Sequence, residues 1–291
     1  MSNMSQLLVL VLFIVLSGCA TQEKTHQDSD PAVFRVSDIS IGDVRLRYCI
    51  DSLQNIYTAE VTHLSCQGVA SLEGISAFTN LSYLNLNKGA LSDIQELSRL
   101  DKLHYLFLNG NQISDLQSLA GLVGLKSLDL SNNQVSDASP LQELTNLKSL
   151  YISNNQIKEI SPFGKLRKLE LLFFSSNQVS DIEPLSGLSR LTALHFYENK
   201  VSDISALNGL TRLTDLNFAY NPVSDVNPLS SLTTLTSLSF HYTQVADISP
   251  LRGLTSLTAL LMHYTPVTCA KVRQLEVSLA KAKIVTPGCI E

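Results

Sequence analysis

The sequence of 291 residues contains no tryptophan, and all aromatic residues together make up only 7% of it. Charged residues are also scarce, at 16%, against about 25% in typical soluble domains, which excludes a disordered polyelectrolyte. Lysine and arginine number 21 against 26 aspartate and glutamate residues, so the net charge of -5 offers no basic surface for nucleic acid. The 44% of hydrophobic residues is mostly aliphatic, and such a leucine-rich composition directs attention to internal repeats.

An unbroken apolar run extends from Leu7 to Leu16. It is too short for a transmembrane helix, which needs about 20 residues, but it fits the hydrophobic part of a secretory signal. The four residues that end at Cys19, Leu-Ser-Gly-Cys, resemble the bacterial lipoprotein box. One departure is that the preceding MSNMSQ contains no lysine or arginine. An ordinary signal peptide and a short buried segment are the alternatives.

The lipoprotein resemblance implies how the first 36 residues are processed. Residues 1–18 would be a signal peptide, removed by cleavage before Cys19. The Cys19 thiol would carry diacylglycerol and its amine would be acylated, with chains such as palmitate. Residues 19–36 would form a flexible tether. Because Ala20 is not the aspartate that retains many such lipoproteins in the inner membrane, the resemblance implies an outer-membrane location in the cell envelope.

A leucine recurs every 22 residues, without insertion, through most of the chain. It opens coils at Leu81, Leu103, Leu125, Leu147, Leu169, Leu191, Leu213, Leu235 and Leu257. Apolar residues fall at positions 1, 4, 6, 11, 14, 17 and 20 of each coil, as in LKSLDLSNNQVSDASPLQELTN from Leu125. From Leu81 to Val267 this pattern resembles the leucine-rich repeat family, specifically the 22-residue class seen in internalins.

The resemblance implies an α/β-class solenoid, a right-handed arc with parallel β-strands on its concave face and 3-10 or irregular return segments. Physical arguments agree, because the L-x-x-L-x-L opening alternates like a strand with one buried face. One coil cannot bury its leucines alone, whereas stacked coils share a continuous core whose ends need caps. We therefore expect an N-terminal helical cap at 37–60, about ten coils at 61–267 and a C-terminal cap at 268–291.

Two polar columns each allow a structural and a functional interpretation. An asparagine at position 9 can bond the backbone of the neighbouring coil, which we favour over a catalytic role. An aspartate at position 13 can accept N–H bonds at the start of a 3-10 turn, which we favour over metal binding. The columns are Asn111, Asn133, Asn155, Asn177, Asn199 and Asn221, and Asp93, Asp115, Asp137, Asp181, Asp203, Asp225 and Asp247, with Glu159 in register.

Four cysteines remain once Cys19 is set aside, two near each end. Eight coils separate these ends by on the order of 40 Å at strand spacing, whereas the Cα atoms of a disulfide lie within about 7 Å. The repeats therefore predict the pairs Cys49–Cys66 and Cys269–Cys289 in an oxidising compartment, with free buried thiols as the alternative. Apolar residues at mostly helical spacing accompany them, at Val44, Leu46, Cys49, Ile50 and Leu53, and at Val272, Leu275, Val277 and Leu279.

Aromatic residues occupy outward positions 5, 7 and 8 of the coils, where packing does not require them. Aromatic side chains with little charge among them are typical of protein interfaces. The predicted partner-binding residues are Phe107, Tyr151, Phe173, His195, Tyr197, Tyr220, His241, Tyr242, His263 and Tyr264. A stabilising stack of the last three tyrosines is the alternative. The histidines also allow a metal site or a pH-sensitive contact, both of which we disfavour.

These patterns predict a non-catalytic, lipid-anchored module of the bacterial cell envelope that binds a protein partner on its concave face. A structural scaffold or spacer without a specific ligand is the alternative. The sequence contains no G-x-S-x-G elbow, phosphate loop or HExxH motif, and a solenoid with serine and asparagine columns offers no paired acid and base. We therefore expect no enzyme, no cofactor, no metal and no nucleic-acid partner.

Overall fold

The computed structural model describes residues 34–53, 56–286 and 289. The predicted signal peptide, the lipidation site Cys19 and nearly all of the predicted tether lie outside the described residues. Within these ranges, no helix combines the length and the apolar character needed to cross a membrane.

Eleven short parallel strands form one sheet in the described part of the chain, and they follow one another in chain order. Successive repeat strands pair with a register of 22 residues, so that Leu84 lies beside Leu106 and Leu106 beside Leu128. The predicted leucine-rich solenoid with parallel strands and 3-10 return segments is confirmed. The strands are β1 His63–Ser65, β2 Tyr83–Asn85, β3 Tyr105–Phe107, β4 Ser127–Asp129, β5 Ser149–Tyr151, β6 Leu171–Phe173, β7 Ala193–His195, β8 Asp215–Asn217, β9 Ser237–Ser239, β10 Ala259–Leu261 and β11 Lys283–Val285.

Helices occupy the caps and the return segments. The caps contain α1, Val44–Asp51, and α2, Cys269–Ser278. Proline stands near the start of several 3-10 helices because its fixed φ suits a helix start and its missing N–H is not needed there. The described 3-10 helices are Val36–Asp38, Thr58–Glu60, Ile75–Ala77, Gln95–Arg99, Gln117–Leu119, Ser139–Glu143, Ser161–Lys165, Glu183–Leu185, Ser205–Leu207, Asn227–Leu229 and Ser249–Gly253.

The apolar positions of the coils form one continuous core. Residues such as Leu84, Leu97 and Leu106 are fully buried between neighbouring coils. In four C-terminal coils phenylalanine replaces leucine at position 6, and successive rings stack with centroids 5.6, 6.0 and 5.6 Å apart. These rings belong to Phe174, Phe196, Phe218 and Phe240. Since each coil covers the apolar edge of the next, the strand positions are held rigidly in register.

The buried asparagines at position 9 join neighbouring coils. Asn155 Oδ1 accepts the N–H of Val135 at 2.9 Å, and Asn155 Nδ2 donates to the carbonyls of Leu130 at 3.0 Å and Ile152 at 3.1 Å. Each asparagine therefore satisfies backbone groups that the turn after the strand leaves unpaired. The same pattern recurs at Asn111, Asn133, Asn177, Asn199 and Asn221. The structural interpretation of this column is confirmed.

The aspartates at position 13 stabilise the return segments. Asp115 Oδ1 accepts the N–H of Gln117 at 2.8 Å, and the six other aspartates of the column make the equivalent bond. Each aspartate precedes the N-cap residue by one position, so the motif is an Asx turn and not the predicted side-chain cap. The favoured structural role is confirmed with this change in geometry.

The N-terminal cap is attached to the first coil at two points. One Asp43 oxygen accepts the N–H of Leu46 at 2.9 Å and begins α1, while the other accepts the N–H of Ala70 at 2.8 Å. A disulfide joins Cys49 to Cys66, with Cα atoms 6.0 Å apart. The cap thereby covers the open end of the core.

One residue of this cap departs from the sequence-based expectation. Val44 belongs to the apolar set of the predicted helix, but its side chain is 82% exposed. Helix α1 buries Leu46 and Ile50, and Val44 lies on the opposite side together with Tyr48, which is 80% exposed. Helical spacing therefore identified the helix but assigned one residue to the wrong face.

The C-terminal cap adds a strand to the sheet. Helix α2 buries Val272 and Leu275, whereas Val277 is exposed. A disulfide joins Cys269 to Cys289, with Cα atoms 5.1 Å apart. After α2, strand β11 pairs with β10, which the sequence analysis did not predict. The strand was missed because Lys283–Val285 lies outside the 22-residue pattern.

Candidate functional site

The candidate site lies on the strand face, which we define as the side chains at positions 3, 5, 7 and 8 of the coils. Positions 4 and 6 point into the core and are fully buried in the repeats, so the alternate side chains of each strand point outward. From β2 to β10 this face carries four Asp, Glu, Lys or Arg residues in all, which are Lys88, Asp129, Glu198 and Asp215. Most of the face is therefore neutral.

Position 8 has an unusual backbone throughout the repeats. Its residues have φ between 53° and 57° wherever they are not glycine. This left-handed conformation suits asparagine and glycine, but it is strained for a bulky side chain. The residues are Lys88, Asn132, Asn154, Ser176, Glu198, Tyr220, Tyr242 and Tyr264. Three tyrosines thus stand where local backbone preference disfavours them.

The three tyrosines at position 8 form a stack on the surface. Ring centroids are 4.5 Å apart between Tyr220 and Tyr242 and 4.4 Å apart between Tyr242 and Tyr264. Their side chains are nonetheless 48%, 43% and 61% exposed in chain order. Desolvation raises the pKa of the Tyr242 hydroxyl, and the two neighbouring tyrosines raise it further. The Tyr242 hydroxyl therefore remains a neutral donor and acceptor at physiological pH.

Two histidines stack beside the tyrosines. The rings of His241 and His263 are 4.3 Å apart and nearly parallel, and they meet the tyrosine rings edge-on. Ser239 Oγ lies 2.9 Å from His241 Nδ1. Leu261 occupies the equivalent place in the next coil, and the buried Nδ1 of His263 has no hydrogen-bond partner. Desolvation and the neighbouring His263 lower the pKa of His241, which favours its neutral form.

We name these five residues, Tyr220, Tyr242, Tyr264, His241 and His263, the Tyr–His cluster. They come from three successive coils, and β8, β9 and β10 set their spacing. The cluster is a continuous aromatic surface and contains no carboxylate, lysine or arginine. Such a surface offers apolar contact area and polar edges together.

A second aromatic group lies at the middle of the strand face. Phe173 stacks on His195 with centroids 4.4 Å apart, and Tyr151 meets Phe173 edge-on at 5.1 Å. His195 Nε2 lies 2.8 Å from Asp215 Oδ2. Burial alone would raise the pKa of Asp215, but the bond to His195 lowers it overall. Tyr197, also predicted, is half-buried one outward position beyond His195.

A third group lies near the N-terminal end and was missed in part. Tyr83 contacts Phe107 at 5.5 Å and Tyr105 at 6.4 Å between ring centroids, and its other face stacks on His63. Only Phe107 was among the predicted residues. Tyr83 and Tyr105 stand at position 3, which also faces outward, so the same alternation contained the signal. Nine of the ten predicted residues, all but Tyr197, thus make ring contacts within three aromatic groups along the strand face.

The chain is similar to known leucine-rich repeat proteins in both sequence and structure. A family model described as Leucine Rich repeats (2 copies) matches residues 101–143, 145–187 and 189–231. The solved structure of internalin C2 from Listeria monocytogenes is 31% identical, with a TM-score of 0.64, and the match covers 81% of this chain and 100% of that one. The chain belongs to the internalin-like leucine-rich repeat family.

Two further solved structures have the same fold. An internalin, inlF, from Listeria monocytogenes is 28% identical with a TM-score of 0.63, over 88% of this chain and 92% of that one. A leucine-rich repeat protein from Leptospira interrogans shares the fold at 24% identity and a TM-score of 0.68, over 78% of this chain and 58% of that one. A search of curated proteins finds no match.

The internalin-like leucine-rich repeat fold is that of a protein-interaction module, and these families are non-enzymatic scaffolds. Among the described residues, no group of three or more His, Cys, Asp and Glu side chains is arranged to hold a metal ion. A groove lined by Asp93, Glu96, Arg99 and Asp115 lies on the return side, remote from the Tyr–His cluster. The three aromatic groups described above all lie on the strand face.

Proposed function

We propose that the chain is a lipid-anchored protein-interaction module of the bacterial cell envelope that binds a protein partner on its strand face. The Tyr–His cluster carries this proposal. Its three tyrosine rings are exposed, and all five rings are held on a rigid sheet, which limits the side-chain entropy lost on binding. Aromatic residues of this kind supply most of the binding energy at many protein interfaces.

The backbone at position 8 supports a binding role over a purely structural one. A residue selected for stability at φ near 55° would be asparagine or glycine, as at Asn132, Asn154 and Gly110. The tyrosines at this position in three successive coils have a strained backbone. The strain has a physical reason if the ring edges and hydroxyls contact a partner.

Stacking among the tyrosines supports the competing scaffold interpretation. Aromatic pairs contribute about 0.5–1.5 kcal/mol beyond burial of area, so a stack can stabilise the C-terminal coils by itself. The two interpretations differ in one observable. The observable is the binding of a specific partner. A binding module has such a partner and loses it when the rings are removed, whereas a scaffold has none.

Site-specific photo-crosslinking in intact cells tests the binding role. A photoreactive phenylalanine analogue at Tyr242 should crosslink to one discrete protein. The matched control is the same analogue at Arg252, which belongs to the same coil but lies in a 3-10 helix of the return side. Crosslinks of equal yield and identity from both positions would contradict a specific strand-face site.

The lipid anchor rests on the Leu-Ser-Gly-Cys sequence that ends at Cys19. Metabolic labelling with an alkyne palmitate analogue should mark the wild-type chain but not Cys19→Ser. The Cys19→Ser chain should also move from the membrane fraction to the soluble fraction. A label that persists in Cys19→Ser would contradict lipidation at this residue. Protease treatment of intact cells then distinguishes a surface-facing from a periplasmic solenoid.

A further inference from the structure

Helix α1 carries an apolar pair on its outward side. Val44 and Tyr48 are 82% and 80% exposed, and they lie one helical turn apart, so their side chains share one face. The opposite face buries Leu46 and Ile50 against the end of the core. Stability of the cap therefore does not account for Val44 and Tyr48.

Two arginines flank this apolar pair. Arg45 and Arg47 stand on either side of Val44 and Tyr48 around the helix axis. Asp51, the one acidic residue within α1, follows Val44 by seven residues and therefore lies on the same side of the helix. Arg47 also donates to the carbonyl of Ile41 at 3.3 Å. The carboxylate of the preceding residue, Asp43, is engaged by backbone N–H groups of α1 and of the first coil. The outward side of α1 thus combines two apolar side chains with two arginines and one aspartate, so its net charge is +1.

The position of this helix in the chain identifies what can cover it. The first described residue, Phe34, follows the predicted lipid-bearing Cys19 by 15 residues, which span at most about 50 Å even when fully extended. Phe34 is itself 52% exposed. The N-terminal cap is therefore the part of the described chain that follows an anchored lipid most closely in sequence. The Tyr–His cluster begins several coils farther along the solenoid.

We propose that the outward face of α1, formed by Val44, Tyr48, Arg45 and Arg47, docks on an anionic lipid surface. This inference rests on the proposed lipid anchor at Cys19. Tyrosine is favoured at the membrane–water interface, and arginine places its charge among headgroups while its stem lies along apolar surface. The acyl chains on Cys19 and a weak contact through α1 reinforce each other because both act on the same end of the molecule. Docking would fix which end of the solenoid faces the membrane.

The absence of tryptophan from the sequence gives a direct test. Tyr48→Trp introduces a single tryptophan at the centre of the proposed contact. Val277→Trp is the matched control, because Val277 is an equally exposed valine on α2 at the far cap. The lipidated full-length chain is reconstituted into vesicles of phosphatidylethanolamine and phosphatidylglycerol, with or without a phosphatidylcholine brominated on its acyl chains. Flotation of the vesicles reports anchoring, and tryptophan emission reports docking.

We expect brominated lipid to reduce the emission of the tryptophan at position 48 about twofold or more and to leave that at position 277 unchanged, since quenching requires contact with the acyl region. Val44→Asp, added to Tyr48→Trp, should abolish the quenching. An aspartate in the first turn favours the helix, so this variant should remain folded. Omission of phosphatidylglycerol should weaken the quenching.

The outcomes separate the two proposals. A chain that floats with the vesicles but shows no quenching at position 48 overturns docking and leaves the lipid anchor intact. A chain that does not float contradicts the anchor and the docking that rests on it. Blue-shifted emission at position 48 without bromine quenching also overturns lipid docking, because it indicates that protein covers the helix.

Discussion

Tyr242 stacks on Tyr264 with ring centroids 4.4 Å apart, although the backbone of both residues has a positive φ. Two effects oppose each other here. The stack contributes favourable contact, while the left-handed backbone costs free energy for a side chain of this size. If the stack serves to bind a partner, it need not stabilise the fold. The effect of removing one ring on the stability of the fold therefore distinguishes a binding role from a structural role.

Tyr242→Asn should leave the denaturant midpoint of unfolding nearly unchanged. Asparagine tolerates φ near 55°, so relief of strain offsets the loss of both ring contacts. Urea unfolding followed by circular dichroism measures the midpoint. A clear decrease in the midpoint would favour a structural stack. Asn154→Tyr serves as the reciprocal control and should lower the midpoint, because it adds strain without a tyrosine neighbour on either side.

Asn155→Ala should lower the free energy of unfolding by about 2–3 kcal/mol. The substitution leaves the N–H of Val135 and the carbonyl of Leu130 buried without their partner. Gln156→Ala, at an exposed position in the same coil, controls for the general effect of the change. Equal losses at the two positions would contradict the assigned role of the buried amide.

Both cap disulfides should be present in the exported protein. Intact mass after alkylation should show no modified cysteine among Cys49, Cys66, Cys269 and Cys289 before reduction, and four after reduction. Replacement of Cys269 and Cys289 by alanine should reduce stability by about 2–4 kcal/mol. Hydrogen exchange should accelerate in α2 and β11 before the central coils, because each coil contacts only its neighbours. Protected exchange in α2 without the disulfide would exclude this role.

The histidine pair predicts a pH dependence of stability. The pKa of His241 in the folded chain is lowered, so its contribution is fully present above its unfolded pKa of about 6.5. The contribution is lost as the pH falls from there through the folded pKa, because the unfolded chain binds the proton more tightly. Thermal unfolding between pH 7.5 and 5 should therefore show a decrease that is smaller in His241→Gln. Identical pH profiles would rule out His241 as the source.

The repeat made most of the fold predictable. A Leu81-to-Val267 pattern without insertion determines strand register, core positions and the asparagine ladder, since each coil must match its neighbour. The caps were less predictable because Val44 and Val277 follow helical spacing but lie outside the core. The pattern also carried no signal for β11, whose pairing depends on the path of the chain after α2.

The candidate site was predictable by residue type but not by arrangement. Alternation along each strand identified the outward positions, and the aromatic residues there were visible in the sequence. The sequence did not reveal the left-handed backbone at Tyr220, Tyr242 and Tyr264, because glycine occupies the equivalent place only at Gly110 in these coils. It also did not show that His195 forms a hydrogen bond with Asp215 in the next coil. This bond occupies both side chains, which were otherwise possible metal ligands.

The most direct test of the account measures the affinity of the crosslinked partner for two triple variants. Tyr220→Asn/Tyr242→Asn/Tyr264→Asn keeps a residue suited to the left-handed backbone but removes all three rings. Asp181→Asn/Asp203→Asn/Asp225→Asn changes the return side and is the control. Matched circular dichroism spectra establish that both variants are folded. The account predicts at least about a tenfold loss of affinity for the tyrosine variant and none for the control. Wild-type affinity in the folded tyrosine variant would contradict a binding site on the strand face.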